Sequence, residues 1–538
     1  MSSLGRASAL LAAGTMVSRI TGLLRTIVLV GVIGAVGKAP DAFALANQLP
    51  NDVFSIISVG LLTAVLVPQI VKAVAGEDGG SAFISKIFTA GTVLLLAATA
   101  VAMLAAPWIV TVIMKAGTTV EQQQLAIAFA YWCLPQIFFY GLYALIGETL
   151  NARKIFGPFT WAPVVNNVVS IAGFLIIGSL FGTPLTDVSD WPADRIAWLG
   201  ATATLGIAVQ AGVLLAFWPR TRLALRVDFR WRGVGLGNVG KLAGWTMLMA
   251  LSSLIAGFYQ HSVALEASGD DVSLTVMNNA WLIFMLPYSV IVLSIGTPYF
   301  TQLSEHAHAG RIDDLRGDIG RSIRTLGFFL TGALAAVVAA TIPASRIFTD
   351  NPDEAQAAAL VLVGYLVALL PLAVLFIVQR TFYALGDTRT PFFFTIFQCV
   401  LIAATAFGTK LLHEAGIVPL SALAATLALG QSLASILQTI VATALLHRRL
   451  NGIGTGRWIL ALGRFVLAAI PATAAGWGVF LLLGGAHGWT TADRIPAAIG
   501  CLIIAGAVLV VYLGLLALLR APELDALKGL VRRFAPSR

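Results

Sequence analysis

Fourteen apolar stretches, each long enough to cross a lipid bilayer, follow one another along this 538-residue chain with no intervening segment longer than about twenty residues. They fall at about 8–34, 42–72, 83–113, 125–150, 158–182, 197–218, 239–267, 272–304, 322–345, 355–384, 391–412, 416–446, 456–484 and 494–519. In hydrocarbon no water is available to bond a backbone N–H or C=O, so a spanning segment must satisfy its own, and a helix does so residue by residue. A helix rises about 1.5 Å per residue, so about twenty residues cross a hydrocarbon core of about 30 Å. Several stretches exceed that length, which predicts tilt or extension beyond the bilayer. With 58% hydrophobic and 11% charged residues and a mean hydropathy of +0.89, no soluble fold accommodates the chain. The fold class is therefore all-α, a polytopic membrane protein of about fourteen transmembrane helices.

The basic residues orient it. With both termini in the cytoplasm, twenty-four of the 34 lysines and arginines fall on cytoplasmic segments and adjoining helix ends, six on the opposite side (Lys38, Lys115, Arg195, Arg346, Lys410, Arg494), and four within spans (Arg19, Arg25, Arg380, Arg464). That bias is the positive-inside pattern. The net charge of +9 then reads as topology and attraction to anionic headgroups, and nucleic acid is not needed to explain it. Two basic loops, 220–232 and 447–457, divide the spans six, six and two. The expected organisation is an N-terminal six-helix lobe (1–218), a basic cytoplasmic linker (219–238) and a C-terminal six-helix lobe (239–446). A basic loop (447–455), an additional helix pair (456–520) and a basic cytoplasmic tail (521–538) complete it. Two lobes around a central cavity are a common transporter plan.

The chemistry that is absent narrows the function. There is no GxxxxGK[ST] phosphate loop, HExxH, paired CxxC or GxSxG, and the short loops leave no room for a soluble catalytic domain. Neither a cofactor nor a metal site is expected. Cys133, Cys399 and Cys501 lie in separate spans and form no framework. His306 and His308, two apart, read as a solvated loop before a metal pair. The first segment is not read as a cleaved signal, because Arg19 interrupts its apolar run and the run continues to Gly37.

Arg19 and Arg25 cannot leave the membrane. The apolar residues on either side, 7–17 and 27–36, each cover only about half the core, so the helix spans only with both guanidinium groups at depth. An arginine there costs at least about 2.5 kcal/mol and is tolerated facing a polar cavity or a partner. Ser18, Gly22 and Arg25 share one stripe of the helix and Arg19 lies about 100° around. Arginine's planar fork binds phosphate oxygens bidentately and never loses its charge. Structural pairing with a carboxylate is the competing reading, with Asp41 the nearest acid.

The second span carries a polar, proline-broken patch, Asn47, Gln48, Leu49, Pro50, Asn51 and Asp52, which suits either a hinge or a structural kink. In the seventh, Gln260, His261 and Glu266 follow a Gly257-Phe258-Tyr259 run; His261 is a candidate for proton coupling or for a buried, hydrogen-bonded histidine, and Glu266 is a gating or structural polar residue. Arg380, near the basic end of the tenth, is expected to snorkel.

Ser18-Arg19-x-x-Gly22-x-x-Arg25, Asp41-Ala42-Phe43, Leu49-Pro50-Asn51, Gly60, Val67-Pro68, Gly147-x-x-Leu150-Asn151, Ala162-Pro163-x-x-x-Asn167 and Gly296-Thr297 together resemble the MurJ/MviN family. The most specific element is Phe382-Tyr383-Ala384-x-x-Asp387-Thr388-Arg389-Thr390-Pro391. The family comprises lipid II flippases of the multidrug/oligosaccharidyl-lipid/polysaccharide exporter superfamily. The resemblance implies an alternating-access flippase of the bacterial cytoplasmic membrane. Arg19 and Arg25 would bind the headgroup of lipid II or a related polyprenyl-diphosphate-linked glycan, Asp41 would sit at the external end, and helices thirteen and fourteen would form a lipid-tail groove. Membrane lipids and cell-wall synthesis proteins are the implied partners. The chain departs from the family's charges at Thr26, Gln48, Phe54 and Val59, and at Trp281 or Leu282, where a third cavity arginine is expected. Two readings compete with lipid II transport: export of another lipid-linked oligosaccharide or small molecule, and a non-transporting scaffold for cell-wall synthesis.

Overall fold

The computed structural model describes residues 3–58, 81–114, 118–153, 155, 157–230 and 236–524, without the side chains of 3–12 and 236–243. The distal part of the second span with Gly60 and Val67-Pro68, part of the first basic loop and the tail from 525 onward lie outside the described residues. Among those described no strand occurs. The long helices are α1 (Ser3–Ile33), α2 (Lys38–Ile57), α3 (Ser81–Ile113), α4 (Val120–Ala152), α5 (Gly157–Phe181), α6 (Ala193–Ala216) and α7 (Leu236–Ala264). They continue with α8 (Leu274–His308), α9 (Ile312–Ala339), α10 (Pro352–Ala384), α11 (Arg389–Glu414), α12 (Leu423–Arg449), α13 (Thr455–Leu482) and α14 (Arg494–Leu518). All but α2, whose continuation is not described, are long and apolar enough to cross a membrane.

The chain forms two compact units, Met1–Thr275 and Val276–Arg538. In the first, α1 lies along α5, α5 along α6, and α2 against α4. Its core holds Phe129 edge-on between Phe43 and Trp191, with centroids 5.2 Å away on both sides. In the second, α9 packs on α13 and α14, and α12 on α10 and α11. α13 and α14 approach closely at Gly476, where an added Cβ would stand 2.3 Å from Val508 and 2.8 Å from Ala339. Gly476→Val is expected to destabilise this unit by about 1–3 kcal/mol through overpacking, read as a lower thermal midpoint in detergent.

Two spans are broken, and the breaks are repaired by side chains from a neighbour. In α4 the helix stops at Cys133 and restarts at Gln136 because Pro135 cannot continue the ladder. The carbonyl of Trp132 accepts instead from the Thr204 hydroxyl at 2.6 Å. In α10 the break falls between Leu366 and Leu369, ahead of Pro371. The Ser432 hydroxyl of α12 donates to the Gly364 carbonyl (2.6 Å) and Thr439 donates to that of Pro371 (3.3 Å). Non-helical backbone at membrane depth persists only where such partners exist.

α9 starts at Ile312, ten residues before the apolar run that reveals it. Its charged first turns are stabilised by pairs one turn apart, Arg316–Asp313 (2.7 Å) and Arg321–Asp318 (3.4 Å). His306, in the last turn of α8, faces Asp318 at 3.1 Å. Among the described residues no cluster suited to a metal ion occurs.

Two arginines have structural tasks. Arg464 of α13 pairs with Glu523 at 2.6 Å, so the chain just after α14 folds back onto α13. Arg346 is buried and donates to the carbonyls of Thr491 (2.9 Å), Thr349 (2.6 Å) and Ala492 (3.2 Å), binding the turn after α9 to the α13–α14 connection.

Candidate functional site: a cationic face on the first helix

α1 is held in place by one asparagine. Asn167 of α5 donates through Nδ2 to the Ser18 carbonyl (3.1 Å) and to the Thr21 hydroxyl (2.9 Å). Gly22 faces the same side, where a Cβ would stand in ordinary contact with Asn167 Nδ2 at 3.6 Å. Thr21 in turn donates to the Val17 carbonyl at 2.9 Å. The neutral side of the Ser18-Gly22 stripe is thus spent on α5. Arg19 is exposed and Ser18, Gly22 and Arg25 are half-buried. Among the described residues neither arginine forms an ion pair. Structural pairing with Asp41 does not occur, because that carboxylate is engaged elsewhere.

Arg25 lies within electrostatic reach of the Tyr140 phenol of α4. Tyr140 stacks on Phe54 of α2 with centroids 5.6 Å apart. One turn away, Gln136 donates to Asn47 of α2 (3.1 Å) and to Thr204 of α6 (3.3 Å). Arg25 thus has the Tyr140 phenol as a neighbour, and the polar contacts of Gln136, one turn along α4 from Tyr140, join α4 to α2 and α6.

Gln136, Tyr140 and Thr204 were not picked out from the sequence; the signal was Pro135 inside an apolar run, which marks freed backbone needing polar company. Of the second-span patch, Asn47 joins these contacts, Gln48 contacts Asp52, Pro50 is buried within a continuous α2, and Asn51 is exposed.

Asp41 belongs to a separate cluster. It is buried at the start of α2 and accepts from the backbone N–H (2.8 Å) and hydroxyl (2.7 Å) of Thr275, in the first turn of α8. Beside it Gln122 donates to the Lys38 carbonyl (3.0 Å) and the Ser268 hydroxyl (2.8 Å). His261, half-buried on α7, keeps Nδ1 without a hydrogen bond, and Glu266 lies in the turn that follows α7.

The motif around Asp387 is a helix cap with a tether. Asp387 Oδ1 accepts from the N–H groups of Arg389 (3.0 Å) and Thr390 (2.9 Å), Oδ2 accepts from the Thr390 hydroxyl (2.8 Å), and Arg449 at the end of α12 pairs with it. Thr388 precedes the first turn of α11, Pro391 is its third residue, and Arg389 lies over the Phe393 ring. Partial burial pushes the Asp387 carboxyl up, but the Thr390 bonds and Arg449 outweigh it and hold it below its ordinary value. A depressed folded-state pKa gives stability that is complete above the unfolded value of about 4 and is lost as pH falls through the folded one. Asp387→Ala is expected to cost about 1–2 kcal/mol at pH 7 through the lost cap, with the gap in thermal midpoint from the native protein narrowing below pH 4.

Thirteen described helices long and apolar enough to cross a membrane define a multi-pass membrane protein. The sequence profile of the family described as Lipid II flippase MurJ matches residues 30–491, and the chain belongs to that family, whose members are flippases and not enzymes. Arg19 and Arg25 precede the matched range. A "Probable lipid II flippase MurJ" from Synechocystis is 24% identical over 98% of this chain and 96% of its own. Another from Rhizobium tropici is 26% identical over 88% and 86%. A solved structure titled "Lipid II flippase MurJ, inward closed conformation" superposes with a TM-score of 0.69 at 18% identity, covering 93% of this chain and 98% of the other. A multidrug resistance transporter of the MATE family gives 0.63 at 17%, covering 84% and 99%.

Proposed function

We propose that this protein carries lipid II from the cytoplasmic to the external leaflet by alternating access, with Arg19 and Arg25 receiving the diphosphate. The observation that carries the site is the pair of intramembrane arginines, which form no ion pair among the described residues, on a helix that Asn167 ties to α5. Family membership supplies the cargo. The polyprenyl tail stays in lipid while the headgroup crosses. Both termini lie in the cytoplasm, as the excess of basic residues on that side supports, and the membrane is the bacterial cytoplasmic membrane. Without a nucleotide site, membrane potential or an ion gradient drives the cycle; each charge moved across 100 mV changes the energy by about 2.3 kcal/mol.

The test is the fraction of lipid II open to an externally added cleaving enzyme in cells depleted of the protein. A rapid fall with lipid II accumulating inside is the expected result; unchanged access in cells lacking any other flippase refutes it.

A second reading is transport of a different polyprenyl-diphosphate-linked glycan. It draws on the aromatic side chains at or next to positions where the resemblance implies charges: Phe54 stacked on Tyr140, and Trp281, which with Leu282 marks the place of the third arginine, stacked on Phe284 at 4.8 Å. Lipid profiling of the same depleted cells separates the two by which precursor accumulates.

A further inference from the structure

Along the flank of α13 turned toward α10 and α12, the second unit carries a groove of about 560 Å³. Its deep part is hydrocarbon: Leu370, Val374, Ile436, Ile440, Ile459 and Leu462. At its mouth, where the basic loop joins α12 to α13, stand Arg448 and His447, with His447 Nδ1 and Thr455 Oγ1 sharing a hydrogen bond of 3.0 Å. Between mouth and depth, two polar atoms in the groove lining are buried without a partner. One is Nε1 of Trp458, whose side chain is only 5% exposed, and the other is the hydroxyl of Thr443.

The three levels have a spacing. Thr443 lies four residues inward from His447 along α12, about 6 Å, and Trp458 three inward from Thr455 along α13, about 4.5 Å. Ile436 is eleven residues from the mouth, about 16 Å, close to half of a hydrocarbon core. A cation, then a hydrogen-bonding layer about 5 Å deeper, then about 10 Å of apolar wall matches one molecule class: phosphate, ester carbonyls, acyl chain.

We propose that this groove binds one anionic glycerophospholipid of the leaflet at the basic end. Arg448 meets the phosphate, the Trp458 N–H and the Thr443 hydroxyl donate to the ester carbonyls, and an acyl chain fills the apolar part. The occupant is not the polyprenyl cargo. A polyprenyl chain joins its diphosphate through hydrocarbon alone, offers no carbonyl at that level, and would leave both buried polar groups unpaired. Nor is an ammonium headgroup favoured, because no carboxylate is among the residues lining the groove. The site differs from a groove between helices thirteen and fourteen, since α13 and α14 close on each other at Gly476 and no α14 residue lines this one.

The experiment uses the full chain, purified in detergent and titrated with dioleoyl phosphatidylglycerol or dioleoyl phosphatidylethanolamine, with retained lipid counted by native mass spectrometry. No transport is measured, so its outcome is independent of the flippase reading. One phosphatidylglycerol is expected to remain bound about tenfold more tightly than phosphatidylethanolamine. Arg448→Glu should weaken it by at least about tenfold, the worth of a charge-assisted contact. Trp458→Phe keeps the ring, removes the donor, and should weaken it about three- to tenfold. An unchanged thermal midpoint in both variants separates lost binding from lost fold. Equal retention of the two lipids, or retention unaffected by both substitutions, overturns the proposal. So does one-for-one displacement by undecaprenyl diphosphate, which would assign the groove to the cargo.

Discussion

Cells whose only copy of this protein carries both Arg19→Ala and Arg25→Ala are expected not to grow, while the protein still inserts and accumulates normally. Each arginine offered to a diphosphate is worth about 1.5–3 kcal/mol, a charge-assisted contact that water replaces incompletely. Losing one should cut transport by about 10- to 100-fold, and losing both by about two to four orders of magnitude. The two sites need not be equal. Arg25 is half-buried beside Tyr140 and its charge is screened less by solvent; Arg19 is exposed. Arg25→Ala should therefore be the more severe single change. Arg25→Lys keeps the charge but loses the planar fork, and should fall between alanine and native. Insertion should not suffer in any alanine variant, because an uncompensated guanidinium at depth is removed. Normal growth on the double variant would remove the headgroup contact and favour the scaffold reading.

The arginines were legible because the argument for them is metric: neither flanking apolar stretch is long enough to span without them. What surrounds them was not, because it is assembled from three other helices. Asn167 was visible only as part of a motif, with nothing in one dimension to show that it fastens the carbonyl of Ser18. The helix count followed from hydropathy, but boundaries did so only where helices end at the apolar run. α9 runs ten residues further, through residues paired one turn apart, where hydropathy carries no helical signal. The breaks in α4 and α10 hide within single apolar runs because the neighbour's hydroxyls, Thr204, Ser432 and Thr439, replace the missing backbone partners. Arg464 stood out as a charge within a span, yet its partner Glu523 comes from beyond α14, fifty-nine residues on. The Asp387 motif was recognised as the most specific stretch of the chain, but its work, capping α11 and tying it to Arg449, depends on which helix end lies beside it.

Thr275 has the backbone N–H that the start of α8 leaves without an intrahelical acceptor, and Asp41, from α2, supplies one. Asp41 Oδ1 takes both the N–H and the hydroxyl of Thr275. Two buried hydrogen bonds, with the cost of leaving the Thr275 N–H unpaired once the acceptor is removed, are together worth about 2–4 kcal/mol. Both residues lie in the first unit; we predict that opening of this end breaks their contact, so that its strength sets a population. Asp41→Ala should raise the opened state by about 30-fold or more and slow lipid II delivery about as strongly. Asp41→Asn keeps an acceptor oxygen, and should lie between. Thr275→Ala removes only the hydroxyl and should cost about 1 kcal/mol. The direct readout is a cysteine at Ala267, which is fully buried in the turn next to this cluster. It should be inert to a membrane-impermeant maleimide in the native background and reactive with Asp41→Ala. If labelling stays low while transport is lost, Asp41 acts on the cargo or the coupling ion and not as a latch. If neither changes, the contact is a structural cap, and the opening of this end is controlled by other groups.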